Sequence, residues 1–247
     1  MTSRVRCALS VAVVFSAAAL IAASRGTRSD DVLARSRAMY ASLTSYADTG
    51  TIVYEWGTAS VSRHSFKTAY RAPRHFIFEF TEDEADGGSR FVIWCEGSDF
   101  QSWDSDTRIH TVHPQGRGTL AFTAFIYPTV GSATQMASML FQGTGLISTL
   151  SELGEVTLAG TETVNGRPAY KLTGIARGTY GTGHEHNVRR AAVWIDTETL
   201  LVRKIFEDTP DGVPAGTRLR KTTMFNAQAN PPLDDSRFRF IVPAARK

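Results

Sequence analysis

Cysteine is scarce in this sequence: of 247 residues only Cys7 and Cys95 are cysteines. Cys7 stands inside an apolar N-terminal leader. Removal of that leader leaves one thiol and excludes an intramolecular disulfide. No charge sign dominates, with 27 Lys and Arg against 24 Asp and Glu. A basic stripe of the kind nucleic acid requires is missing, so nucleic acid is not expected as a partner. The G-x-S-x-G nucleophile elbow is absent, as are the Walker loop and the Rossmann glycine pattern. No catalytic residues and no cofactor are expected, and an enzyme is the minority reading.

What is present begins with MTSRVRCALSVAVVFSAAALIAAS. Arg4 and Arg6 make a basic start, residues 8–23 are almost wholly apolar, and small residues follow. That is the layout of a signal peptide, and the apolar run is short for a membrane span. Cleavage after Ser24 makes residues 1–24 the leader and leaves 25–247 as one domain of 223 residues (247 less 24). An uncleaved N-terminal anchor is the alternative. A lipid-attachment cysteine would stand at the end of the apolar stretch, whereas Cys7 precedes it, so the expected product is a soluble, exported monomer. Loss of Arg4 and Arg6 leaves 25 basic residues against 24 acidic ones, nearly neutral.

Residues 29–46, SDDVLARSRAMYASLTSY, read as a helix. Ser29 is placed to cap it, Asp30 and Asp31 suit its positive end, and Val32, Met39, Leu43 and Tyr46 form a stripe. The period then changes to two. Strands are expected over 49–57, 60–70, 75–82, 89–96, 99–104, 107–113, 155–164, 168–177, 188–196, 200–207, 217–227 and 237–242, separated by turns such as Asn165-Gly166. Short connections imply an antiparallel meander. Residues 118–154 break the pattern with Phe125, a capping-box candidate at Ser132 and Gln135, and the stripe Ala133, Met136, Ala137, Leu140. A second stripe, Leu146, Leu150 and Leu153, stops at Gly154.

Several strands are apolar on both sides. In SRFVIWCE, Phe91, Ile93 and Cys95 face one way, Val92 and Trp94 the other; Val193 and Ile195 oppose Trp194; Leu201 and Ile205 oppose Leu200, Val202 and Phe206. In RAPRHFIFEF, residues 71–80, Phe76, Phe78 and Phe80 share one face and carry roughly 500 Å² of apolar surface, which demands a cover. The fold class is therefore α+β, mainly β: a strongly curved antiparallel sheet, an incomplete barrel, wrapped around an N-terminal helix and the helical insertion 118–154. Whether side chains or a ligand fill the enclosed space is open on pattern alone.

The order of segments LTSYADTGT, YRAPRHFIFEF, FVIWCEGSDFQSWDSDTRIHTV, VWIDTETLLVRKI and NPPLDDSRFRFIVP resembles the superfamily of periplasmic lipoprotein carriers of the LolA/LolB type, above all its predicted periplasmic members of unknown function. The resemblance implies a periplasmic protein whose half-barrel, closed by a helical lid, binds a lipid, acyl chain or lipoprotein in a hydrophobic cavity. It also implies a membrane-bound donor or acceptor. The wall expected from it comprises Ile52, Tyr54, Trp56, Phe76, Phe78, Phe80, Phe91, Ile93, Val193 and Ile195, with Phe125, Met136, Met139 and Leu140 as the lid. The family's lid-latching arginine has three candidates, Arg63, Arg71 and Arg74. The alternative is an envelope interaction or sensor module on the same scaffold with a filled core.

Other candidates have plainer readings. His184 and His186 lie in a Gly-rich loop, far in sequence from His110 and His113, so a polar loop is preferred to a metal site. Cys95 shares its face with Phe91 and Ile93 and reads as a buried small residue. Glu79, Glu82, Asp83, Glu84 and Asp86 cluster at a turn, where solvated charge is the default.

Overall fold

Period-two alternation produces twelve strands in the computed structural model, which describes residues 28–57, 60–82, 88–97, 99–113, 135–142, 148–177, 188–209 and 218–244. The first six are β1 (Ser45–Trp56), β2 (Ser60–Arg71), β3 (His75–Glu82), β4 (Arg90–Glu96), β5 (Phe100–Asp104) and β6 (His110–His113). After the insertion come β7 (Leu153–Val164), β8 (Arg167–Arg177), β9 (Val188–Asp196), β10 (Val202–Asp208), β11 (Leu219–Phe225) and the two-residue β12 (Gln228–Ala229). Helix α1 spans Ser29–Ala41, and two short helices, α2 (Gln135–Leu140) and α3 (Thr149–Glu152), lie within the insertion.

All pairings are antiparallel, in the order β6-β5-β4-β3-β2-β1-β11-β10-β9-β8-β7, with β12 paired to β1. Two meanders are thus stitched along β1 and β11, with Ile52 opposite Thr223 and Tyr54 opposite Lys221. The terminal strands β6 and β7 do not pair with each other, so the barrel stays open. They are consecutive in the chain, and the insertion with α2 and α3 joins them.

Laid flat, eleven strands would span roughly 50 Å at their usual spacing. Yet Phe91 and Phe100 near one edge share a single apolar cluster with Leu172 and Val193 near the other, through Val32, Tyr40, Met136 and Leu150 of the helices. Only a curled sheet brings those residues around one core. Helix α1 is fixed inside the curl by Ser36 Oγ donating to the Leu200 carbonyl at 2.9 Å and by the Val202 N–H donating to Tyr40 Oη at 3.1 Å.

The outer face has its own cover. Ile77, Val92, Trp94 and Trp103 form a second cluster with Phe238, Leu233, Phe240 and Val242 of the C-terminal segment. Residues 237–242 are therefore not the strand their alternation suggests. Asp235–Phe238 is a 3-10 turn and the residues after it run across the sheet without joining it. The alternation arises from lying on a surface, which also presents every second side chain to one side.

Three local readings are also corrected. The helix ends at Ala41 rather than 46, because Tyr46 and Asp48 already alternate inward on β1 and the Ser42 N–H closes the last turn on Ala38 and Met39. Ser29 does not cap; its hydroxyl donates to the Val156 carbonyl of β7 at 2.9 Å. Leu153 begins β7 rather than ending a helix, and α3 opens with a capping box formed by Ser148 and Ser151. Ser132, Ala133 and Leu146 lie outside the described residues.

Candidate functional site: the interior of the half-barrel

The inner face is built by strand parity. Ile52 and Tyr54 from β1, Phe76, Phe78 and Phe80 from β3, Phe91 and Ile93 from β4, and Val193 and Ile195 from β9 all belong to the inner cluster and are buried. Phe78, Ile93 and Val193 are wholly inaccessible. Trp56 has the same parity but is the last residue of β1, beyond the covered part of the sheet, and is 49% exposed. Of the roof residues, Met136, Met139 and Leu140 of α2 are buried in the same cluster, and Phe125 lies outside the described residues.

Beyond α2, Phe141 meets the wall edge-on: its ring centroid lies 5.2 Å from Tyr70, 5.5 Å from Phe76 and 5.9 Å from Phe100. These edge-to-face contacts carry about 0.5–1.5 kcal/mol each beyond area burial. The roof is also tied by polar bonds. Arg37 of α1 donates to the Leu150 carbonyl at 2.8 Å, and Gln142 Nε2 donates to the Arg37 carbonyl at 2.8 Å.

One polar set was not foreseen from sequence. Glu207 of β10, Lys221 of β11 and Arg189 of β9 all point inward. Arg189 Nε lies 3.1 Å from Glu207 Oε1, and Lys221 Nζ pairs with Glu207 Oε2. The Thr149 hydroxyl of α3 donates to Glu207 Oε1, and Gln135 Nε2 of α2 donates to Thr149 Oγ1 at 3.1 Å. Burial works to raise the Glu207 carboxyl, but the Lys221 and Arg189 charges overcome it and hold Glu207 below its ordinary range. The missed signal was parity: Glu207 shares a face with Ile205, and Lys221 with Phe225. The parity of β10 itself is broken by an irregularity between Val202 and Lys204, which turns Val202 inward beside Ile205 against the strict alternation.

A second buried acid lies further along the inner face. Asp48 is 3% exposed and accepts from Tyr46 Oη at 2.6 Å. Burial pushes its carboxyl up to about 6, against opposing hydrogen bonds from Tyr46 and Thr68.

The remaining candidates separate. Cys95 is buried in the inner cluster, on the face it shares with Phe91 and Ile93. His110 Nε2 lies 2.9 Å from Gln101 Oε1 and its ring stacks on Trp94, whereas His113 is buried with Nε2 2.9 Å from Ser102 Oγ. His184 and His186 lie outside the described residues, and among the described residues no group of three His, Cys, Asp or Glu could hold a metal ion. Two Ser–His pairs occur among the described residues, Ser102 with His113 at 2.9 Å and Ser62 with His64 at 3.1 Å; no carboxylate hydrogen-bonds to His113, and Glu82 stands 3.9 Å from the far nitrogen of His64, beyond hydrogen-bond reach. Burial lowers the His113 pKa, keeping the ring neutral. Glu79 pairs with Arg90 at 2.6 Å, and Glu82 lies 3.9 Å from His64. Asp83, Glu84 and Asp86 lie outside the described residues.

Of the three arginines, Arg63 is exposed. Arg71 faces the outer cover: it donates to Asp235 at 2.5 Å and to the Leu233 carbonyl at 3.1 Å, and lies 5.1 Å over the Phe238 ring. Arg74 is half-buried in the turn between β2 and β3.

The fold and interior define an open antiparallel half-barrel whose apolar inner face is roofed by helices. No protein-family model matches the chain, and no characterised protein matches it in sequence. Solved structures with a similar chain course include LprF from Mycobacterium bovis, at 10% identity and a TM-score of 0.47 over 89% of this chain and 99% of that one. A LolA superfamily protein from Nitrosomonas europaea matches at 10% identity and a TM-score of 0.39, over 87% of this chain and 99% of its own. The Pseudomonas aeruginosa MucA/MucB complex matches at 18% identity and a TM-score of 0.45; 86% of this chain aligns there, spanning 60% of that longer chain.

Proposed function

We propose that this protein is an exported periplasmic carrier or sensor that holds a lipid, an acyl chain or the lipid part of a lipoprotein against the inner face of the half-barrel. Residues 1–24 act as its cleaved signal peptide, and a membrane-bound donor or acceptor exchanges the cargo. The observation that carries this reading is topological. The described roof over Phe76, Phe78 and Ile93, α2 and α3, belongs to the connector between β6 and β7, which among the described residues pair with no further strand, so these helices can lift without breaking any described ladder of the sheet. Binding needs no catalysis, because each methylene buried contributes about 0.8 kcal/mol. Phe141 packs against the wall rings of Tyr70, Phe76 and Phe100, and cargo displaces it.

Native mass spectrometry of the protein purified from its own host tests the proposal. Stoichiometric lipid is the expected result. Protein that is consistently empty, and remains so after incubation with envelope lipid extract, refutes it. The direct contacts of Phe141 with three wall rings favour one other reading, an interaction module with a permanently filled core, and that second result is the one it predicts.

A further inference from the structure

Helix α1 lies inside the curl, and its last turn is seated on the sheet by a chain of hydroxyls. The Val202 N–H of β10 donates to Tyr40 Oη at 3.1 Å, Tyr40 hydrogen-bonds to Tyr46 of β1, and Tyr46 Oη donates to Asp48 Oδ2 at 2.6 Å. The two phenol rings lie 5.6 Å apart, and Tyr40, Tyr46 and Asp48 are all buried. Helix α1 enters no ladder of the sheet, so it can lift without breaking a strand pair. Thr44 is fixed, its N–H donating to Asn230 Oδ1 at 2.9 Å, which confines a hinge to Ser42 and Leu43. The roof is tied to the helix rather than to the hinge, through Arg37 to the Leu150 carbonyl and Gln142 to the Arg37 carbonyl.

Asp48, at the end of that chain, has no cation to balance it. Its neighbours are Tyr46 on its own strand, Tyr40 from α1, Thr68 opposite it on β2 and, beyond Thr68, Phe78 of β3. Burial pushes both phenols up, so they stay protonated. Arg203 of β10 acts on Tyr40 but is engaged elsewhere, by Asp196 at 3.1 Å and the Ala227 carbonyl at 3.1 Å. The roof contributes Met136, Met139 and Leu140 to the same core, none of them charged. An ionised carboxylate held out of water without a cation is costly, and the same group in water is not. Ionisation therefore favours whatever arrangement wets Asp48.

We propose that α1 is a proton-linked switch: with Asp48 protonated it stays seated in the curl, and with Asp48 ionised it swings out about Ser42 and Leu43, carrying α2 and α3 with it and opening the inner face. The switch stands apart from the carrier reading, because it concerns where α1 sits rather than what the interior holds. Its direction follows from linkage. In the seated form burial lifts the Asp48 carboxyl to about 6, and water returns it toward the ordinary 3.8 once Tyr40 departs. A carboxyl raised in the seated form imposes no penalty below the lower value and its full penalty above the higher one. Release is therefore promoted as pH rises from about 4 to about 6, and levels off above that interval.

The test is amide exchange read by mass spectrometry on the full-length mature protein at pH 4.5 and pH 7, corrected for the intrinsic exchange rate. Residues 29–41 are compared with β9 and β10, in the wild type and in Asp48→Asn. Protection of α1 in the wild type is expected to fall by about tenfold or more from the lower pH to the higher. The Asn variant is expected to show no such fall, and β9 and β10 are expected to stay better protected than α1 throughout. Should Asp48→Asn fail to fold, Tyr40→Phe removes the hydroxyl that joins α1 to Val202 and Tyr46 while leaving Asp48 in place. Its α1 is expected to exchange about tenfold faster at both pH values, with β9 and β10 unchanged. A wild-type α1 whose protection does not change with pH overturns the proposal, as does an equal fall in wild type and Asn variant. Loss of protection in α1, β9 and β10 to one common level also overturns it, because Asp48 then acts on global unfolding alone. Unchanged α1 exchange in Tyr40→Phe overturns the seat itself.

Discussion

Replacing Asp48 with Asn is the most direct test of the physics inside the half-barrel. Asp48 is almost fully buried and accepts a hydrogen bond from Tyr46, a bond the Asn side-chain oxygen can also accept. Its carboxyl titrates near 6 rather than at the ordinary 3.8, because burial penalises the charged form. At 1.36 kcal/mol per pH unit, ionised Asp48 destabilises the fold by roughly 3 kcal/mol relative to the unfolded chain. A carboxyl whose folded value is raised contributes no penalty below its unfolded value and its full penalty once pH exceeds the folded value. The Asn variant should therefore be more stable than the wild type by up to about 3 kcal/mol at pH 8. That advantage should shrink through the interval between pH 6 and 4 and nearly vanish below pH 4. Urea unfolding of both proteins at several pH values measures it. The difference between the two curves isolates Asp48 from carboxyls such as Glu207 and Asp208, which are held low by their cations and act in the opposite direction. A difference that does not change with pH, or a wild type more stable at pH 8, refutes the reasoning.

Three other substitutions probe the architecture. Gly50→Ala places a methyl group into the Phe66 ring and the Met224 carbonyl of the neighbouring strand; it should cost about 3 kcal/mol or prevent folding, read from soluble yield and melting temperature. Arg71→Gln removes the cation that holds Asp235, the Leu233 carbonyl and the Phe238 ring. It should lower stability by about 1–2 kcal/mol and make residues 239–244 the first site of proteolysis, with cargo binding unchanged. Thr149→Val keeps the shape of a wholly buried side chain but removes its hydrogen bond to Glu207. Amide exchange in α3 should accelerate by about tenfold or more while exchange in β9 and β10 stays slow; equal protection in both proteins would show that the hydroxyl does not hold the roof.

Much of the fold is readable in the chain because its signals are local. Eleven of the strands arise where period-two alternation and turn residues announce them, and the two-sided pattern of β4 correctly implies a cover on each face of the sheet there; on β9, Trp194 is instead buried among side chains of its own sheet, under Glu162, Lys171 and Lys204. The failures are equally specific. RFRFIV at 237–242 alternates like a strand but crosses the outer face of the sheet, because alternation reports a surface on one side and not a ladder of hydrogen bonds. The β10 irregularity reverses the side on which Val202 lies, and no composition signal marks it. Glu207 and Lys221 read as ordinary surface charges because their inward direction depends on register, and a single-residue slip reverses it.

The sequence by itself determined eleven of the strands, the antiparallel connectivity and the burial of Phe76, Phe78 and Phe80, since alternation and turn chemistry act over a few residues. Tertiary structure alone decided which surfaces meet. Curling of the sheet brings β4 and β9 around one core, and packing decides that Phe141 covers Phe76 from inside while Phe238 covers Ile77 and Trp94 from outside. It also brings Arg189, Glu207, Lys221 and Thr149 together from four separate elements. Those contacts join residues up to 161 positions apart (Ile77 to Phe238), and their energies depend on strand register and sheet curvature, which no local pattern encodes.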